Sequence, residues 1–222
     1  PSRCPQCHTP IKPWQNIPLV SYLLLGGRCS NCKTKIPLRY PLVELLTGLL
    51  CAFAIWKFGL NLQGAAAVVL VCFLVALTFI DLDHHLLPDS MTLPLIWLGL
   101  LLNTSSLFTD PVSAIIGAAA GYLVLWGVFH LFRLLTGKEG MGYGDFKLLA
   151  ALGAWFGWQL LAQILILSSL AGALIGITLI LVRRHAHDVP IPFGPYLAIA
   201  GVIALFFGQQ INAWYLGLAG LI

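Results

Sequence analysis

The chain has 222 residues, of which 59% are apolar and only 9% charged, against about 25% charged in an ordinary soluble domain. A soluble globular enzyme is thereby excluded, and several apolar runs are long enough to cross roughly 30 Å of hydrocarbon at about 1.5 Å per helical residue. The formal net charge is only +4, so its distribution tells more than its sum, and nucleic acid is not among the expected partners.

The chain opens on Pro1, and no basic stretch followed by an apolar one precedes Cys4. No signal peptide is visible, and the expectation is of a fragment whose natural beginning lies upstream. Residues 1–40 then read as a separate polar module, with four cysteines and six Lys/Arg. Cys4-x2-Cys7 and Cys29-x2-Cys32 are two thiol pairs, each able to chelate from one turn. Two such turns complete a tetrahedral Cys4 zinc site. The alternative, a pair of disulfides, requires an oxidising compartment. A closed Cys4 site is structural, because no coordination position is left for water. His8 follows Cys7 and is read as an exposed loop histidine.

Apolar segments follow at about 41–57, 64–80, 91–107, 113–135, 146–157, 159–182 and 195–208, and 211–222 reads as an interfacial tail or a short further helix. The expected fold class is therefore all-α, a polytopic transmembrane helix bundle (41–222) behind a small N-terminal cytoplasmic Cys4 zinc module (1–40). Segment 146–157 is short for a full crossing and is expected to be tilted or half-buried. Gly117, Gly121, Gly172 and Gly176 read as close-packing positions between helices, Cys51 and Cys72 as small hydrophobes. No internal repeat is evident.

If the segments alternate, one side receives every basic residue except Lys57. The positive-inside rule makes that side the cytoplasm. Arg183, Arg184 and His185 fall there, as anchors or headgroup contacts. The same side receives Asp81 and Asp145, although the charge argument did not require it.

Ionisable residues at membrane depth are costly and are functional candidates by default. Asp81 ends one apolar run and opens the cluster Asp81-Leu82-Asp83-His84-His85-Leu86-Leu87-Pro88-Asp89. Asp145 begins another, in Gly142-Tyr143-Gly144-Asp145-Phe146-Lys147. Two carboxylates can hydrolyse an amide when one is ionised and activates water while the other is protonated and bonds the carbonyl. The glycines flanking Asp145 would allow close substrate approach and unusual backbone angles. The dipoles of the two adjoining helices favour Asp145 as the ionised member and Asp81 as the neutral one. The bland readings are that Asp145 is a helix N-cap, that Asp83 and Asp89 are loop or cap carboxylates, and that His84 and His85 face water rather than tune the pair.

Taken together, the two Cys-x2-Cys pairs, Tyr40-Pro41-Leu42-Val43-Glu44, the Asp81–Asp89 cluster, Gly142-x-Gly144-Asp145-x-Lys147 and Pro192-Phe193-Gly194-Pro195 resemble the type IV prepilin peptidases, bacterial inner-membrane GxGD-type aspartic proteases. The resemblance covers nearly the whole chain, less the family's N-terminal transmembrane helix. It implies catalysis by Asp81 and Asp145, with Gly142, Gly144, Lys147, Asp83 and Asp89 shaping the site and Cys4, Cys7, Cys29 and Cys32 holding zinc. It further implies cleavage after glycine of the basic leader of type IV prepilins or type II secretion pseudopilins at the cytoplasmic face, and N-methylation of the new terminus with S-adenosylmethionine. Glu44 either meets a cofactor amine or complements its helix dipole, and no Gly-x-Gly-x-x-Gly nucleotide loop is present. The 190–195 stretch either lines the cleft or is a stiff turn. The rival functions are a proton-coupled transporter relaying through Asp81 and Asp145, and a membrane-anchored zinc-ribbon binding module.

Overall fold

The computed structural model describes residues 3–138, 140–183 and 192–218. Its helices are α1 (Val20–Leu24), α2 (Arg39–Phe58), α3 (Leu62–His84), α4 (Asp89–Asn103), α5 (Pro111–Thr136), α6 (Tyr143–Phe156), α7 (Leu161–Arg183) and α8 (Gly194–Leu218), with short 3-10 turns at Pro13–Asn16 and Trp158–Leu160. Among the described residues there is no strand, only two isolated bridges, Arg3 with Pro10 and Arg28 with Lys35. Among the described residues, five helical stretches are long and apolar enough to cross a membrane, on α2, α3, α5, α7 and α8. The protein is a multi-pass membrane protein.

Sharp turns separate the helices and have local causes. Asn61 caps α3 by accepting from the Gly64 N–H, and Asp110 caps α5 by accepting from the Ser113 N–H ahead of Pro111. His85 ends α3 in a left-handed conformation at φ 50°, and Gly137 ends α5 at φ 71°, where only glycine is unstrained. Segment 91–107 proves shorter than expected, because helix α4 stops at Asn103. Asn103 turns its buried amide onto the carbonyls of Ala154 and Trp155 and accepts from the N–H groups of Phe108 and Thr109. Residues 211–218 of the tail, in contrast, form no separate element: α8 continues unbroken to Leu218.

The short helix α6 is the centre of the bundle. From Phe146 to Phe156 every residue except Lys147 is buried, as expected of a helix apolar on all sides. Helices α4, α5, α7 and α8 pack on it, so its 14 residues need not present a full span to lipid. The tightest crossing is with α5. A Cβ on Gly117 would lie 2.4 Å from the Gly153 carbonyl oxygen, and one on Gly121 would lie 2.6 Å from that of Leu149. The two backbones therefore touch, the close approach that small residues four apart permit. Gly172 packs on the Tyr196 ring, and Gly176 is buried.

The N-terminus of α2 and the C-terminus of α3 are joined by the Arg39–Asp83 ion pair, and the N-termini of α4 and α6 by the Asp89–Lys147 pair. One face of the bundle thus collects the start of α2, the end of α3 and the starts of α4, α6 and α8. Lys57 lies toward the opposite face, donating to the Phe206 carbonyl and sitting 5.0 Å from the centre of the Phe207 ring.

The N-terminal module contains a repeat that composition alone concealed. Arg3-Cys4-x2-Cys7-x-Thr9-x-Ile11 recurs as Arg28-Cys29-x2-Cys32-x-Thr34-x-Ile36. The two copies fold alike. Each first cysteine's N–H donates to the threonine carbonyl, at 3.1 Å for Cys4 and 2.9 Å for Cys29. The residue after each second cysteine, His8 or Lys33, is left-handed at φ 53° or 59°. The expectation of no internal repeat is corrected accordingly.

Candidate active site and metal site

Asp81 sits in the last turn of α3 and Asp145 in the first turn of α6, each about 5–6% exposed. They lie close enough for their carboxylates to interact electrostatically. Asp145 is not the cap of its helix. Helix α6 starts at Tyr143 with Gly142 as N-cap, which leaves Asp145 at the third helical position, its N–H donating to the Gly142 carbonyl at 3.2 Å. Tyr143 and Phe146, on either side, hold this turn against α5 through the Phe129 ring, at centroid distances of 5.3 and 5.6 Å.

A third helix reaches the pair. Gly194, the first residue of α8, donates its N–H to Asp81 Oδ2 at 3.1 Å. A Cβ there would lie 2.6 Å from that oxygen, so any side chain at 194 would displace the carboxylate. The sequence reading saw only the unfavourable dipole at the end of α3. The structure adds the favourable N-terminus of α8 to Asp81, and the asymmetry expected from α3 and α6 alone is removed. Leu87 wedges between the two sites: Cβ atoms built on Gly144 and Gly194 would lie 2.6 Å from its Cβ and 3.0 Å from its Cδ1.

The two glycines beside Asp145 differ in kind. Neither has a positive φ, so the expected unusual angles are absent. Gly144 is fixed by contact with Leu87. At Gly142 a Cβ would meet only Asp145 Oδ2, at 3.8 Å, and the Gly144 nitrogen, at 4.0 Å, so the space beside Gly142 is open. Asp83 and Asp89 are neither free loop carboxylates nor caps. Asp83 takes a two-pronged bond from Arg39 at 2.6 and 2.7 Å, and Arg39 also covers the Phe79 ring. Asp89 is the first residue of α4, behind Pro88 as N-cap, and accepts from Lys147 Nζ at 2.5 Å. His84 and His85 are exposed, and the His85 N–H bonds the Asp81 carbonyl. Glu44 Oε2 accepts from the Leu19 N–H at 3.1 Å, and so ties α2 to the N-terminal module. Pro192, Phe193 and Gly194 adjoin the site. Pro190, Arg184 and His185 lie outside the described residues.

The four sulfurs of Cys4, Cys7, Cys29 and Cys32 all lie within 4.8 Å of one another. Cys4 and Cys32 are 3.8 Å apart, and Cys7 and Cys29 are 3.9 Å apart. A disulfide would require about 2.05 Å, whereas a tetrahedral ion with sulfur ligands at about 2.3 Å has edges of about 3.8 Å. The cluster fits a metal. Bonds from the Thr9 hydroxyl and N–H push the Cys7 thiol down to about 5, and the N–H groups of Asn31 and Cys32 push Cys29 down, so thiolates are favoured at these two positions, whereas Cys4 is raised. His8 is exposed and stands outside the cluster.

Two family models match the chain. One describes the type IV leader peptidase family, over residues 68–177, and the other the bacterial peptidase A24 N-terminal domain, over residues 1–58. A prepilin leader peptidase/N-methyltransferase of Pseudomonas aeruginosa is 57% identical over 219 residues, 99% of this chain and 76% of that protein. The chain belongs to the type IV leader peptidase family. Proteins of the same name from Aeromonas hydrophila and Xanthomonas campestris are 60% and 51% identical over 215 and 221 residues, covering 97% and 100% of this chain and 74% and 77% of theirs. No solved structure matches. Family membership leaves the transporter reading without support, and the leader peptidase model spans both Asp81 and Asp145.

Proposed function

We propose that this chain cleaves the leader of type IV prepilins or type II secretion pseudopilins after glycine at the cytoplasmic face of the bacterial inner membrane, with Asp81 and Asp145 as the catalytic pair. The observation that carries this reading is the meeting of two buried aspartates from different helix ends. Two acids that grip a common water would share one proton between them and titrate as a unit. The ionised member takes a proton from a water as that water attacks the scissile carbonyl. The neutral member hydrogen-bonds the carbonyl oxygen, and its proton passes to the leaving nitrogen.

The depth suits the substrate. A pilin-like protein presents an apolar helix in the bilayer and a basic leader outside it, so its scissile bond lies at the membrane boundary. Acids at helix ends reach that boundary, whereas a transporter relay requires them near the midplane. The open space at Gly142 admits the substrate backbone beside Asp145. The Arg39–Asp83 and Lys147–Asp89 pairs fix the starts of α2, α4 and α6 around it.

Cys4, Cys7, Cys29 and Cys32 would hold a structural zinc ion, which when bound clamps the two halves of the repeat and offers no open position for chemistry. Residues 1–40 are thus read as a cytoplasmic zinc module and 41–222 as the peptidase domain. N-methylation with S-adenosylmethionine is proposed from the name its relatives carry. Glu44 is already engaged at Leu19, so no residue is assigned to the methyl donor. The test is to incubate the full-length protein in detergent with a leader-bearing prepilin and read the product's N-terminus by mass spectrometry. Cleavage after glycine supports the peptidase, and one added methyl group with S-adenosylmethionine supports the second activity. An intact substrate contradicts both.

A further inference from the structure

Between the two cysteine pairs the chain exposes large apolar side chains. Trp14 and Ile17, in and just after the first 3-10 turn, are 47% and 48% exposed; Val20, Leu23 and Leu24 of α1 are 50%, 78% and 73% exposed. The last three fall three and four residues apart on one helix face. The opposite face carries Tyr22, which packs on Gly27 and donates to the Ile36 carbonyl, so α1 is seated on the module and turns its apolar side outward. Lys12 precedes this segment in sequence and Arg28, Lys33 and Lys35 follow it, all exposed and none paired with a carboxylate among the described residues.

The height of the segment is fixed by one hydrogen bond. Leu19 donates its N–H to Glu44 Oε2, and Glu44 is the sixth residue of α2. At about 1.5 Å per residue, α2 with its 20 residues matches the roughly 30 Å hydrocarbon thickness almost to the residue. Its first turn therefore sits at the boundary between headgroups and acyl chains, and Glu44, about 7.5 Å further along, holds Leu19 within the roughly 5–10 Å depth that an interfacial segment reaches. Exposed apolar side chains flanked in sequence by basic ones, at that level, form the pattern of an interfacial anchor.

We propose that residues 12–24 lie in the membrane interface, with Trp14, Ile17, Val20, Leu23 and Leu24 entering the acyl border of the leaflet at which α2 begins, and with the four basic side chains meeting anionic lipid headgroups. The module is then held flat beside the bundle by lipid as well as by Glu44. This inference stands on membrane placement alone and does not depend on the peptidase reading.

The test uses the full chain, one copy per nanodisc, in phosphatidylcholine with phosphatidylglycerol. The emission of Trp14 is obtained as the difference between the native chain and Trp14→Phe. Lipids brominated near the headgroup end of the acyl chain should quench it about twofold or more, lipids brominated near the chain end much less, and aqueous iodide little. Quenching should deepen as the phosphatidylglycerol fraction rises, and Leu23→Glu with Leu24→Glu should abolish it at unchanged zinc content. Quenching by iodide with no response to either lipid would overturn the proposal. So would lipid quenching that survives the double glutamate change, indifference to anionic lipid, or a Trp14 response that appears only when a prepilin is added.

Discussion

The N–H of Gly194 donates to Oδ2 of Asp81 across 113 residues of sequence, at 3.1 Å. That bond brings the start of α8 to the end of α3, and it makes the identity of residue 194 a condition of the site. In Gly194→Ala the new Cβ would lie 2.6 Å from the Asp81 oxygen and 3.0 Å from Leu87, so the carboxylate must move. Displacements of about 1 Å at a reacting group cost on the order of 10²-fold in rate. Leader cleavage by Gly194→Ala should fall by that order while zinc content and helicity hold. Wild-type cleavage would show that Asp81 tolerates displacement.

Lys147 and Asp89 are expected to act as a positioning pair. The side chain of Asp89 is more than half exposed, so breaking the pair should cost less than about 1 kcal/mol of stability. Its effect belongs in the cleavage rate, because Lys147 stands two residues after Asp145 and ties that turn to α4. Lys147→Asp and Asp89→Lys should each slow cleavage, and the double reversal should recover most of the loss. A double variant no better than the singles would show that Lys147 acts in some other way.

The contrast between the two kinds of residue explains what could be read ahead of the structure. The Cys-x2-Cys pairs and the aspartates at the ends of apolar runs were legible because each is a local pattern in a chain otherwise poor in charge. Partners were not legible. Arg39 and Asp83, or Gly194 and Asp81, meet only when helices far apart in sequence fold together, and neither periodicity nor spacing encodes such pairs. The burial of α6 was half-visible, since its length was too short for a lipid-facing span but its apolarity was unbroken. The Cys repeat is faint in sequence because only five of its nine positions are shared between the copies at Arg3–Ile11 and Arg28–Ile36.

Zinc should be present at one ion per chain. Its removal by chelator, or Cys29→Ser, should open residues 3–38 to proteolysis while far-UV circular dichroism barely changes, because the module's one α-helix has only five residues. The Cys7 thiol is held down at about 5, so its contribution to metal binding is present above that value. A bound ion competes with protons for the thiolates, so metal should leave only as pH falls below the pKa of the free thiol. Loss of metal at neutral pH, where Cys7 is ionised, would contradict a thiolate site.

The α5–α6 crossing sets a packing test. Gly117→Ala places a Cβ 2.4 Å from the Gly153 carbonyl oxygen, and neither backbone can yield without moving its helix. A cost of about 1–3 kcal/mol is expected, read as a lower midpoint of unfolding in detergent. Gly127→Ala on the same helix meets nothing within 4 Å and should be neutral. Equal behaviour of the two variants would argue against the backbone contact.

The dyad itself is tested by replacing each acid with its amide. Asp81→Asn and Asp145→Asn preserve shape but cannot share a proton, and each should lower prepilin cleavage by at least about 10²-fold. In both variants zinc content and thermal unfolding should stay close to those of the native chain. If either asparagine variant cleaves at the native rate, Asp81 and Asp145 are not the catalytic pair and the account fails.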